Sequence, residues 1–277
     1  GYQTPQVHVK IRLNPNKRPI APPDRWVEDL SAELKNISWN RYPDREANQL
    51  HTDIAKFHNV GPDMVLAANG SNEILQSVLL TYGGFGRRAA LFEPTYALHS
   101  HISALTGTEL IVGECNENFA IENETIEGVL GQQPNVLFLC SPNNPTGITA
   151  TRDFIESIVE RCAEIGILLI IDEAYGEFSD WSAIDLVREG SKIAVTKTFS
   201  KTWSMAGIRL GYMVAAQEII ESVRTVILPY HLDSLKQVAG SYALRHISEM
   251  NSRVELLVQE RERVSRKLLE LPIQQWP

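Results

Sequence analysis

The sequence predicts an α/β fold, a three-layer sandwich built on a mostly parallel sheet, and three observations carry that prediction. Short apolar runs alternate with stretches of helical period through the middle of the chain. Leu168–Ile171 is apolar without interruption, as expected of a strand covered on both faces. Four of the apolar runs end directly in residues that carry chemistry, which is where open α/β sheets bind ligands.

Taken in order, residues 1–40 read as an N-terminal arm, because prolines and asparagines crowd Ile11–Pro23 and favour extended chain. Residues 41–244 read as one large domain. Ala47–Phe57 places Leu50, Ile54, Ala55 and Phe57 at helical spacing, and Met64–Ala67 is a short apolar strand. A turn at Asn69-Gly70-Ser71-Asn72 opens the helical stretch Ile74–Leu80. Ala89–Glu93 is the next strand, followed by Pro94 and a helix over Tyr96–Leu105. Val136–Cys140 is a strand; Arg152–Ile165 is a helix with Phe154, Ile155, Ile158, Val159 and Cys162 on one face. Leu168–Ile171, Ile193–Thr196 and Gly211–Ala215 complete the strands. Residues 245–277 read as a long charged helix, Arg245–Leu271, opening a small C-terminal domain of which only the start is present.

Composition narrows the function classes. With 43% hydrophobic and 22% charged residues, the 277-residue chain is an ordinary globular protein. A net charge of −8 gives no general attraction for nucleic acid or an anionic membrane. The longest apolar run, Ile165–Ile171, is far short of the roughly 20 residues that span a bilayer. Neither a secretory signal nor a metal-type cysteine spacing is visible; Cys115, Cys140 and Cys162 read as reduced structural thiols, and the expected location is the cytoplasm.

The strand-end motifs are Asn69-Gly70-Ser71-Asn72, Ser141-Pro142-Asn143-Asn144-Pro145-Thr146-Gly147, Asp172-Glu173-Ala174-Tyr175 and Thr198-Phe199-Ser200-Lys201, with Arg209 eight residues further on. The first opens a helix, whose leading amides suit an anion such as phosphate. Rival motifs fail. No Gly-x-x-x-x-Gly-Lys-Ser/Thr loop precedes the apolar run before Asp172, Gly83-Gly84-Phe85-Gly86 lacks dinucleotide spacing, and no Gly-x-Ser-x-Gly elbow occurs. His99-x-His101 has no third ligand and reads as a pair of structural or surface histidines, so no metal is expected. The sequons at Asn36 and Asn123 carry no weight without a signal peptide.

One requirement unites the four motifs: a phosphorylated aromatic cofactor needs an anion cradle, an acid at a ring nitrogen and an amine that forms an imine. With Ala206-Gly207-Ile208-Arg209-Leu210-Gly211-Tyr212, their order resembles the fold-type I, pyridoxal-phosphate-dependent aminotransferases of class I/II. Arg41-Tyr42-Pro43-Asp44, Pro94-Thr95-Tyr96 and Pro229-Tyr230 make the chain similar to the histidinol-phosphate branch, over roughly residues 13–242. The resemblance implies that Lys201 binds the cofactor covalently and moves protons. It implies that Asp172 faces the pyridine nitrogen, that Tyr175 and Asn144 bond the ring's phenolic oxygen, and that Tyr96 stacks on the ring. Ser71, Asn72, Thr198, Ser200 and Arg209 would hold the phosphate, and Tyr42 would reach the phosphate of a neighbouring subunit in a homodimer. The implied substrates are histidinol phosphate as amino donor and 2-oxoglutarate as acceptor. Aromatic amino acids, a decarboxylation on the same scaffold, and a truncated non-catalytic cofactor-binding protein stand as alternatives.

Departures from the family pattern bear on substrate choice. Leu13-Asn14-Pro15-Asn16-Lys17-Arg18-Pro19 stands where the family has Leu-Asn-x-Asn-Glu-Asn-Pro, reversing a charge near the expected substrate entrance. Asn72 replaces a common Asp, and the family's carboxylate-binding arginine is expected beyond Pro277.

Overall fold

The computed structural model describes residues 21–276. The altered segment Leu13–Pro19 and most of the expected extended arm therefore lie outside the described residues. The chain runs α1 (Asp24–Glu33), α2 (Asn48–His58), β1 (Val65–Ala68), α3 (Ser71–Tyr82), β2 (Arg88–Glu93), α4 (Leu98–Thr106), β3 (Glu109–Glu114) and α5 (Asn123–Leu130). It continues through β4 (Val136–Cys140), α6 (Arg152–Ile165), β5 (Leu168–Asp172), β6 (Ile193–Thr198), β7 (Gly211–Ala215), α7 (Gln217–Arg224), α8 (Ser234–Ala243) and α9 (Ile247–Leu268). The seven strands form one sheet in the order β1-β7-β6-β5-β4-β2-β3, in which β7 is antiparallel to both neighbours and the other pairings are parallel.

Alternation along each strand divides the core in two. On one face Leu137, Leu139, Leu169, Ile171, Ile193 and Val195 pack with α1, α2, α5, α6, α8 and the start of α9. On the other, Val136, Phe138, Leu168, Ile170 and Ala194 pack with α3, α4 and α7. This is the expected three-layer sandwich.

Five elements were not anticipated: α1, β3, α5, α7 and α8. The first of these lies within the stretch read as an arm, yet it buries Trp26 and Leu30, and Trp26 Nε1 donates to Ala239 O at 3.4 Å. α8 contains Gly240, a poor helix former. A Cβ there would stand 2.6 Å from Leu210 Cδ2 and 2.7 Å from Leu50 Cδ1, so the glycine is what lets α8 close on α2. The long terminal helix begins at Ile247 and ends at Leu268, and only Met250 and Val254 are buried on it.

Two histidines make the fold sensitive to acid. His51 Nε2 accepts from the Ala67 amide at 3.0 Å, and burial, with Arg224 and His231 nearby, pushes its pKa down to about 4. His58 is hydrogen-bonded to the Tyr212 hydroxyl at 2.7 Å, and burial together with the Lys197 charge pushes it down to about 3. The unfolded chain binds these two protons below pH 6.5 while the folded chain refuses them. Their contribution is therefore complete above about pH 6.5 and is withdrawn as pH falls toward 4 and 3. Each tenfold difference in proton affinity between the folded and unfolded chain is worth about 1.4 kcal/mol, so the two rings together put several kcal/mol at stake. Thermal unfolding between pH 7 and 4.5 should show a steep loss of stability that His51→Gln flattens; an unchanged slope would refute the assignment.

Candidate active site

Parallel strands β4, β5 and β6 end side by side, with Cys140 opposite Asp172 and Asp172 opposite Thr196. The loop after β6 carries Arg209 to the N-terminus of α3. Asp172 continues the face of Leu168 and Ile170 and so points to the α3 and α4 side. It is 1% exposed, with Oδ1 accepting from the Ala174 amide at 3.0 Å and Oδ2 accepting from His99 Nε2 at 3.1 Å. His99 lies parallel to Phe138 at 4.8 Å and edge-on to Tyr96 at 5.5 Å. The two donors satisfy part of the buried carboxylate and leave it acceptor capacity for a third partner.

His99 is the site residue that sequence reading missed. Only one member of the His99-x-His101 pair faces inward, and its target lies 73 residues away. The one sequence signal was its position on the first turn of α4, three residues after Tyr96.

Lys201 and Tyr175 are brought together from separate loops, with Lys201 Nζ lying 5.3 Å from the Tyr175 ring centroid. The Tyr175 hydroxyl is buried and has no hydrogen-bond partner among the described residues. A buried hydroxyl left unpaired is costly, so it is aimed at a polar group the chain does not itself supply.

The α3 N-terminus forms the anion cradle. Gly70 has φ +87°, and a Cβ on it would lie 2.8 Å from Arg209 Nη2. Glycine therefore leaves the guanidinium beside the first-turn amides of Ser71 and Asn72, which have no partners within the helix. Arg209 Nη1 donates to Ser200 Oγ at 3.1 Å, which fixes the guanidinium at the cradle's rim. Gly211 closes the other wall, since a Cβ there would collide with the Ser71 amide nitrogen. The Thr198 hydroxyl donates to Leu210 O at 3.3 Å and accepts from the Ser200 amide at 3.1 Å, so here it shapes the turn.

Tyr96 donates to Asn72 Oδ1 at 3.3 Å, tying the ring-stacking candidate to the cradle. The Asn144 loop is held through its neighbour: Asn143 Nδ2 donates to Pro94 O and Thr146 Oγ1, each at 2.9 Å, and Asn143 Oδ1 accepts from Thr95 at 2.8 Å. Asn143 thus fixes Asn144 and Tyr96 relative to one another. Behind this joint lies a mostly apolar cavity of about 220 Å³ reaching Cys115, Phe119 and Phe154. Tyr42 sits apart from the cluster, 80% exposed and stacked on Tyr230 at 4.6 Å. Among the described residues no group of three or more His, Cys, Asp or Glu is placed to hold a metal, and no helix is long and apolar enough to cross a membrane.

The sequence pattern that defines aminotransferase class I and II matches residues 8–277. The chain belongs to this family. Among relatives of this aminotransferase, the histidinol-phosphate aminotransferase of Mycolicibacterium vanbaalenii is 40% identical over 279 residues, covering 96% of this chain and 75% of the relative. That of Mycolicibacterium smegmatis is 41% identical over 278 residues, covering 96% and 73%. The solved histidinol-phosphate aminotransferase of Sinorhizobium meliloti, in complex with pyridoxal-5'-phosphate, has a TM-score of 0.83 at 19% identity, covering 92% of this chain and 70% of that one. At that identity the likeness is one of fold.

The residues present fit pyridoxal phosphate, the cofactor of this aminotransferase. The orphaned Tyr175 hydroxyl, the Gly70 opening that a Cβ would fill and the buried Asp172 carboxylate answer to a phenolic oxygen, a phosphate and a ring nitrogen.

Proposed function

We propose that this aminotransferase moves the amino group of histidinol phosphate to 2-oxoglutarate, a step of amino-acid biosynthesis in the cytoplasm. The observation that carries the reading is the approach of Lys201 to Tyr175 beyond the paired strand ends of β5 and β6, which carry the buried Asp172 and lead to the Arg209–Gly70 cradle. The substrate follows the histidinol-phosphate aminotransferases that are 40–41% identical over nearly the whole chain.

When bound, pyridoxal phosphate supplies an aldehyde that condenses with amines and a conjugated ring that accepts electrons from the substrate's Cα. The chain's residues do the rest. The Lys201 amine would hold the cofactor between turnovers and, once released from it, would serve as the base that takes the proton from the substrate Cα. Asp172 keeps a proton on the ring nitrogen, and the His99 bond orients its carboxylate. Tyr175 and Asn144 would bond the phenolic oxygen, and Tyr96 would cover one ring face. Arg209, Ser200, Thr198 and the Ser71 and Asn72 amides neutralise the phosphate. Tyr42, exposed and backed by Tyr230, serves the cradle of a second subunit, so the working unit is a homodimer. In this reading residues 41–244 are the cofactor domain and residues 245–277 begin a second, smaller one.

The test is a panel of amino donors offered with 2-oxoglutarate to the full-length protein. Histidinol phosphate is expected to exceed phenylalanine and tyrosine in kcat/KM by about tenfold or more, because a site built for a polar group rejects analogues that leave it unpaired. An aromatic donor in first place, release of carbon dioxide, or a loaded but inert dimer would each replace this reading with the corresponding alternative.

A further inference from the structure

Beneath the site, on the sheet face opposite Asp172, lies a buried ionic cluster that the reaction does not use directly. Lys197, on β6, points to the α2 and α8 side. Its Nζ lies 3.1 Å from Glu173 Oε2 and 3.2 Å from Glu177 Oε1, with the three side chains 5%, 5% and 10% exposed. Burial works against the ammonium charge, but the carboxylates of Glu177 and Glu173 outweigh it and hold the group protonated. Glu173 also accepts from Ser182 Oγ and the Ala183 amide, each at 2.6 Å. The other oxygen of Glu177, Oε2, accepts from Thr202 Oγ1 at 2.9 Å.

These partners are the chain neighbours of the groups above them. Glu173 and Glu177 flank Tyr175, and Thr202 follows Lys201. Gly176 completes the fit, because a Cβ there would lie 2.6 Å from Lys197 Nζ; the turn carrying Tyr175 settles directly on the ammonium. One cation therefore holds the Tyr175 turn through two carboxylates, and one of those carboxylates holds the Lys201 turn through Thr202.

We propose that Lys197 is a positioning residue that locks the Tyr175 and Lys201 turns in one frame and so sets the spacing of their side chains over the cofactor. A desolvated ion pair suits this task, since taking away one partner strands a buried charge and the geometry cannot relax by small steps. The inference rests on the cofactor reading of Lys201 and Tyr175 given above.

The test compares the cofactor-loaded wild type with Lys197→Met, Lys197→Arg and Thr202→Val. In Lys197→Met, kcat is expected to fall about tenfold or more while KM for donor and acceptor stays within about threefold, the pattern of lost transition-state geometry. The visible circular dichroism of the bound cofactor should weaken in the same variant. In the cofactor-free protein, amides of residues 174–179 and 199–205 should exchange faster than in the wild type. Lys197→Arg should recover most of kcat and the dichroism, and Thr202→Val, which cuts the link to Glu177 and leaves Lys197 between its two carboxylates, should move both in the direction of Lys197→Met by less. Variants that lower only the melting temperature, leaving kcat, dichroism and exchange in those two segments at wild-type values, would overturn the proposal. If Lys197→Met fails to fold, Thr202→Val decides on the same readouts. A wild type that binds no cofactor would instead bring down the functional reading on which this rests.

Discussion

Lys201→Ala is expected to lose both the visible absorbance of covalently held cofactor and transamination, with kcat/KM lower by about 10⁴-fold or more. The size follows from the two tasks given to one amine. In the proposed mechanism it anchors the cofactor in place and also carries the proton at the substrate Cα. The neighbouring Tyr175 offers a hydroxyl and no amine. Neither task passes to a neighbour, so the variant should fold normally and bind the cofactor only reversibly through the Arg209 cradle. Absorbance after gel filtration and single-turnover assays measure the two losses separately. A variant that still transaminates at more than about a hundredth of the wild-type rate would remove Lys201 from the centre of the mechanism.

Asp172→Asn should come next in effect, lowering kcat by about 10²–10³-fold, the range found when a preorganised charge facing the reacting group is removed. The shape is kept and the charge is lost, so the ring nitrogen is no longer held protonated and the electron sink is weakened. The carboxamide would also alter the bond to His99, whose Nε2 donates to Asp172 Oδ2 at 3.1 Å. His99→Asn, which keeps the acid but frees its outer oxygen, is expected to have the smaller loss of the pair. Steady-state rates of the two variants check this order. Equal rates for Asp172→Asn and the wild type would mean that the carboxylate serves the fold alone.

Much of the fold and site was legible because the information is local. The runs Val136–Cys140 and Gly211–Ala215 and the helix Arg152–Ile165 coincide with β4, β7 and α6 to the residue. Their boundaries are marked by Pro142, by Thr151, whose side chain accepts from the Phe154 amide, and by Gly166 in the left-handed conformation. The elements that escaped detection depend on distant partners. β3 is an edge strand whose buried residues, Ile111 and Gly113, face α5, a partner the local pattern does not announce. α8 carries a glycine that weakens its helical signal and is justified by Leu210 and by Leu50, 190 residues earlier.

The same division runs through the site. Lys201, Asp172, Tyr175, Asn144 and the Asn69–Asn72 turn each follow directly from a strand, and the end of a parallel strand is a position that chain order dictates. Residue chemistry in that position was enough to suggest a phosphorylated aromatic cofactor, while the contact assigned to each residue came from the family resemblance. Which side chains close around those groups is another matter. His99 beneath Asp172, Asn143 joining two loops, and Lys197 between two glutamates are pairings set by which face of a strand or helix turns inward when the layers pack. A one-residue change of register would send Lys197 to the face of Asp172 and leave both carboxylates without their cation. Local pattern names the groups that can react; packing across the sheet sets the distances at which they do.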